Sequence, residues 1–224
     1  MSGPALGKQR LVAAEIAQLP ADARVLSVGE GGGRHVVDLA LAFPQVRFIA
    51  CDLDAARVRA ADELRRSAGV ANLVFFVGDA SRLPLRDRSI SFAYVRSVLQ
   101  FLAHPLEHQR EIARVTTGAV LYRDIGNWPF YPLLRSLQAL TLRLRGKPDW
   151  APVLRDARLS ARASTIRHHA GWYARWFRAS GLFQEVRIVG HDLLWWDLDR
   201  DVPLLGLAGA RFGIRCVVGG PEAR

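Results

Sequence analysis

The chain has 224 residues, half of them apolar and 23% charged, with a formal net charge of +10. That length encloses a hydrophobic core without staples, and the balance excludes a disordered, collagen-like or coiled-coil architecture. The longest run without Asp, Glu, Lys or Arg is residues 67–78, 12 residues against the roughly 20 that a bilayer-spanning helix needs. Two distant cysteines, Cys51 and Cys216, exclude a disulfide scaffold and a zinc site built on CxxC pairs, and no metal site is read. No secretory signal is read near Lys8, Arg10 and Glu15, so the chain is expected in the cytoplasm.

The predicted elements alternate. Residues 6–19 have helical apolar spacing and stop before Pro20; residues 24–28 form a short strand ending at glycines. Residues 33–43 read as a helix closed by Pro44, and residues 46–51 as a second strand. Residues 54–67 form a charged amphipathic helix with Asp54 as its N-cap. Residues 72–77 are a third strand, apolar enough to be covered on both faces. Residues 90–95 are a fourth strand and 105–115 a helix; a Thr-Thr-Gly turn then leads to a fifth strand, 118–123. Beyond Asp124, residues 127–170 carry 8 Lys or Arg and 2 Asp, with a helix over 131–145 and a break at 146–152. An aromatic-rich helix (171–180), a turn and strand (181–189) and a final strand (210–218) complete the chain. This order argues for a single α/β domain, 1–224, with an insertion at its ligand edge over 127–170. Its sheet is mostly parallel, with helices on both faces, and ligands bind beyond the carboxyl ends of such strands.

Three of those strand ends carry the functional signal. Val25–Gly33 reads VLSVGEGGG, a strand running through Gly29, Glu30 and Gly31 into a helix. Glycine there lets backbone approach a ligand closely, and the helix N-terminus beyond favours an anion. The dinucleotide pattern G-x-G-x-x-G fails, because Arg34 stands where the third glycine belongs. Asp52 lies 21 residues after Gly31, close to the spacing at which an acid accepts the hydroxyls of a ribose. Asp79 and Ala80 end the third strand, where a carboxylate and a backbone N–H can meet a base; the alternative for Asp79 is a turn cap.

Together these pieces resemble the class I S-adenosylmethionine-dependent methyltransferases. Leu83-Pro84-Leu85 with Ile90-Ser91-Phe92, Val98–Leu102 and Arg110–Val120 are similar to the family's following segments, and the resemblance covers roughly residues 8–124 and 171–218. It implies a Rossmann-like seven-stranded sheet with the last strand antiparallel, a helical lid after the fifth strand, and S-adenosyl-L-methionine as cofactor. Gly29, Glu30 and Gly31 would then face its methionine part, Asp52 and Leu53 its ribose and adenine, Asp79 and Ala80 the adenine amino edge, and Arg96 the sulfonium side. Ser27 departs from the family's usual acid, which helps hold the cofactor ammonium; Ser91 stands near the place of another acid.

The resemblance implies methyl transfer to oxygen or carbon of a small apolar or aromatic acceptor, with secondary metabolism as its setting. His104, after the fourth strand, is the first choice as general base among six histidines; His168 and His169 are others. The insertion's aromatic and leucine residues suit a hydrophobic acceptor, and its arginines an anionic one. Asn127-Trp128-Pro129-Phe130 differs from the Asn-Pro-Pro-aromatic motif of base-methylating enzymes, so nucleic acid is not expected as a partner. Two alternatives stay open: a cofactor-binding protein of this fold without methyl transfer, motivated by Ser27 and Ser91, and an RNA- or membrane-associated methyltransferase, motivated by the charge. Peripheral membrane contact belongs to the second. The oligomeric state is not read.

Overall fold

The computed structural model describes residues 9–102, 105–125, 131–147, 150–151, 154, 170–193, 196–198 and 211–219. Its helices are α1 (Arg10–Ile16), α2 (Arg34–Ala42), α3 (Ala55–Ser67), α4 (Pro105–Val115), α5 (Tyr131–Leu144) and α6 (Ala170–Ala179). Its strands are β1 (Arg24–Val28), β2 (Arg47–Asp52), β3 (Leu73–Val77), β4 (Ile90–Arg96), β5 (Thr116–Ile125), β6 (Phe183–Leu193), β7 (Trp196–Leu198) and β8 (Arg211–Val218). They form one sheet in the order β3-β2-β1-β4-β5-β8-β6-β7. The pairs among β1 to β5 are parallel, and β8 runs antiparallel between β5 and β6.

Side chains alternate along β1, as the period of two requires. Leu26 and Val28 enter a core with Ile112 and Ala113 of α4 and Tyr173 and Phe177 of α6. Val25 enters a second core on the other face, with Ile16 of α1 and Val36, Val37 and Leu39 of α2. Helices therefore cover both faces, as alternation predicts.

The expected seven-stranded sheet with an antiparallel last strand is present, extended by β7, a three-residue strand that pairs antiparallel with the end of β6. Three expectations are corrected. The third strand is not covered on both faces: β3 is the sheet's edge, and Val74 and Val77 are exposed. Thr116-Thr117-Gly118 is not a turn. It opens β5, with the register against β4 shifting between Ile90 and Phe92. A Cβ at Gly118 would lie 2.4 Å from the Ser91 carbonyl oxygen, so this irregularity needs glycine. Finally, Ser91 sits near the amino end of β4, where its hydroxyl accepts from the Arg24 N–H at 3.3 Å. A substitution there is at the edge opposite the candidate site, so the absence of an acid at Ser91 does not weaken it.

Two polar anchors fix the connections. Arg114 on α4 donates to Glu111, to Asp87 and to the Leu83 and Leu85 carbonyls, tying the β3–β4 connection to the helix. Asn72, just before β3, donates from Nδ2 to the carbonyls of Ala40 (3.1 Å), Phe43 (3.1 Å) and Val46 (2.9 Å), closing the end of α2. Among the described residues no helix is long and apolar enough to cross a membrane.

Replacing Asn72 by Ala removes this shared donor, and the Phe43 carbonyl keeps only the Val46 N–H. The expected loss is about 1–3 kcal/mol, read as a lower thermal midpoint in calorimetry, with roughly 2–4 °C per kcal/mol.

Candidate functional site

Parallel register brings the three strand ends level. Val28 pairs with Cys51 and Val95, and Asp52 with Val77. Gly29, Leu53, Gly78 and Arg96 thus open onto one edge, and Arg96 pairs with Arg123 of β5.

The glycine turn is built by three left-handed residues, Gly29 (φ 78°), Gly31 (φ 57°) and Gly33 (φ 73°). Their reasons differ. A Cβ at Gly29 would lie 2.2 Å from Val98 Cγ2, and one at Gly33 2.6 Å from Ala61 Cβ, so protein packing excludes side chains at both. At Gly31 the nearest atom to an added Cβ is Arg57 Nη1 at 3.9 Å, and at Gly32 nothing lies within 4 Å. The middle of the turn faces open space, as a cradle for a ligand must.

Asp52 ties this turn to β2. Its Oδ2 accepts the Gly31 N–H at 2.8 Å and its Oδ1 the Asp54 N–H at 3.0 Å. Each oxygen keeps a lone pair for a further donor. Asp54 caps α3, accepting from the N–H groups of Ala56 and Arg57. Leu53 between them is largely exposed, as are Val77 and Phe101. Asp79 takes the Ser81 N–H and hydroxyl on Oδ1, each at 2.8 Å, which holds its carboxyl below the usual range. That is a turn-capping geometry, and Ala80 beside it is half-buried.

The group that sequence spacing left in the background is Glu30. Its side chain is buried in the turn, with Oε1 accepting from the Ser27 hydroxyl and Oε2 buried without a hydrogen-bond partner. Ser27 pairs with Tyr94 of β4, whose buried hydroxyl lies beside Ser27 and Glu30. Burial raises the Glu30 pKa, opposed by the Ser27 hydrogen bond, the charge of Arg96, the Tyr94 hydroxyl and the Val36 N–H. An acid two residues before the first glycine is the expected pattern. Here the loop supplies the carboxyl, and the strand serine holds it. The motif showed both residue types, but only the folded turn shows that they meet.

His108 on α4 is a second group without a signal in the sequence. It is buried with neither ring nitrogen bonded, near Tyr122, and burial lowers its pKa to about 4 against the pull of Asp79. His104, His168 and His169 lie outside the described residues. Among the described residues no cluster of His, Cys, Asp or Glu could hold a metal ion. Cys51 beneath the site is buried, and burial raises its thiol pKa to about 12.

Residues 25–118 match the family described as a methyltransferase domain. No curated protein matches the chain by sequence. Among solved structures, the chain is similar to a SAM-dependent methyltransferase from Aquifex aeolicus, with 16% identity over 96% of this chain and 92% of that one and a TM-score of 0.61. It is also similar to the YcgJ protein of Bacillus subtilis, with 22% identity, 96% and 98% coverage and a TM-score of 0.58. A third similar structure is the cyclase SpnF, with 17% identity, 95% and 81% coverage and a TM-score of 0.62.

The raised pKa of Glu30 makes a stability prediction. The native state keeps a proton that the unfolded chain has lost, so stability falls as pH rises above the ordinary value of 4.5. Without ligand, Glu30→Gln should therefore melt above the wild type at about pH 8 and converge with it at about pH 4, as followed by circular dichroism.

Proposed function

We propose that this chain is a class I S-adenosylmethionine-dependent methyltransferase that methylates oxygen or carbon of a small acceptor with an apolar body and an acidic group; the methyltransferase-domain match over residues 25–118 supports this reading. The cofactor, when bound, supplies an electrophilic methyl group on a sulfonium. The observation that carries the reading is the buried, half-satisfied carboxyl of Glu30 beside an open glycine turn. A buried carboxyl with an oxygen to spare is costly to ionise, and an ammonium group entering the turn would offset that cost.

Glu30 would hold the cofactor's ammonium and Ser27 would keep the carboxyl oriented. Gly29 and Gly31 would let the backbone approach the methionine part. Asp52 would accept the ribose hydroxyls with the lone pairs left over from its backbone bonds. Leu53 would cover the adenine ring, and Asp79 with Ala80 would meet its amino edge. Methyl transfer is an in-line displacement, so the protein's main work is alignment and the exclusion of water.

The arginines of the segment after β5, among them Arg135, Arg143 and Arg145, support an acidic acceptor. The apolar residues Trp128, Phe130, Tyr131, Leu133 and Leu134 in the sequence after β5 support an apolar body for that acceptor. For an oxygen nucleophile, His104 is the proposed base, from its place in the chain after β4. Cytoplasmic location and a setting in secondary metabolism remain part of this proposal.

Isothermal titration with S-adenosylmethionine and with its demethylated product should give saturable binding of both. Glu30→Gln should weaken both about 10–100-fold, as loss of a hydrogen bond to a charged group does, and Asp52→Asn should weaken them less. No binding by the wild type at millimolar ligand overturns the reading. Tight binding without methylated product across a panel of aromatic and aliphatic acids would assign the chain to the non-methylating alternative.

With an accepted substrate in hand, His104→Ala should lower kcat about 10²–10⁴-fold and leave cofactor affinity unchanged. A carbon acceptor that needs no base would show no such loss.

A further inference from the structure

Over its described side chains, residues 136–144, helix α5 turns leucines outward. Gln138 and Ala139 face the protein interior, at 7% and 2% exposure. Leu137, Leu140 and Leu144 are 50%, 51% and 79% exposed. Their spacing of three and four places them on one side of the helix, in a stripe about 10 Å long. A water-facing helix normally shows the reverse, polar residues outward and leucines inward. A contiguous exposed apolar stripe of this kind marks a contact surface.

The charge around the stripe selects what it contacts. From Ile125 to Pro148 the sequence has no Asp or Glu, but it has Arg135, Arg143, Arg145 and Lys147. Arg143, Arg145 and Lys147 are exposed at the end of the helix, and Arg143 lies 5.2 Å over the ring of Trp150. A second copy of the chain would set the same cations against themselves, because a two-fold contact repeats one patch on both sides. Leucines flanked by Arg, Lys and Trp are the composition of a helix lying in a lipid headgroup layer. There the leucines enter the acyl boundary, and the long basic side chains extend to phosphates.

We infer that α5 is a membrane-surface helix that docks the protein on anionic phospholipid through Leu137, Leu140 and Leu144, with Arg143, Arg145 and Lys147 meeting the headgroups. This surface does not depend on the methyl-transfer reading. It puts the segment that follows β5 next to a lipid phase.

The test is co-sedimentation of the full chain with vesicles of neutral phosphatidylcholine, alone or with about a third of phosphatidylglycerol. The wild type should bind the anionic vesicles and be released at about 0.5 M salt, where the Debye length falls to a few ångströms. Leu140→Glu with Leu144→Glu should retain the circular dichroism spectrum and S-adenosylmethionine affinity while losing at least tenfold in vesicle binding. Arg145→Gln with Lys147→Gln leaves the leucines in place and should cost about fivefold per cation on anionic vesicles only. Three results would overturn the inference. The first is no binding of the wild type to anionic vesicles at low salt. The second is a dimer in light scattering that the double glutamate substitution dissolves. The third is binding to polyglutamate as tight as to vesicles, with both unaffected by the leucine substitutions.

Discussion

A carboxyl group held out of water at the end of β1 is the constraint around which the rest of the site is arranged. Desolvation disfavours the charged form of Glu30, and the Ser27 hydroxyl and the charge of Arg96 only partly offset it. The turn that encloses it needs three left-handed glycines, one hydrogen bond from Gly31 to Asp52, and a strand neighbour that presents Tyr94. Packing against Val98 and Ala61 accounts for two of the glycines, and the Asp52 bond ties the turn to β2. What packing leaves unexplained is the buried carboxyl itself; under the proposed function a cation entering the turn would give it a partner in a medium of low dielectric.

Much of this was legible in the residues. Alternating strand and helix patterns gave the parallel half of the sheet, the Asp54 cap is where its side chain says it should be, and the Gly, Asp52 and Asp79 ends share one edge. What local pattern cannot report is who the neighbours are. The residues of β3 look like a central strand because they are apolar, yet the strand lies at the sheet's edge. Thr116-Thr117-Gly118 has turn composition, but the carbonyl of Ser91 on the next strand makes it an irregularity within β5. Ser27 looked like a missing acid because the acid that meets it comes from three residues further on, through a turn whose shape the sequence alone does not specify.

The chain's arginines divide into two populations. In the first half they are largely committed within the fold: Arg47 to Asp22, Arg65 and Arg66 to Asp62, Arg114 to Glu111 and Asp87. Exposed pairs of this sort contribute little each, and Arg114 is the exception because it also ties two carbonyls. Around α5 there are no acids in sequence to receive them, and the positive charge is available to something outside the chain. A net charge of +10 is therefore less a property of the whole surface than of one region of it.

The close approach at Gly29 has a consequence for anyone redesigning specificity. The space a β-carbon would need there is already filled by Val98, which begins the segment leading into α4, and the Arg96 carbonyl closes the other side at 3.2 Å. Two loops from different strands are thereby mechanically interlocked. Under the proposed function, trimming Val98 to widen substrate scope would also slacken the turn that receives the donor, so the two positions are best varied as a pair.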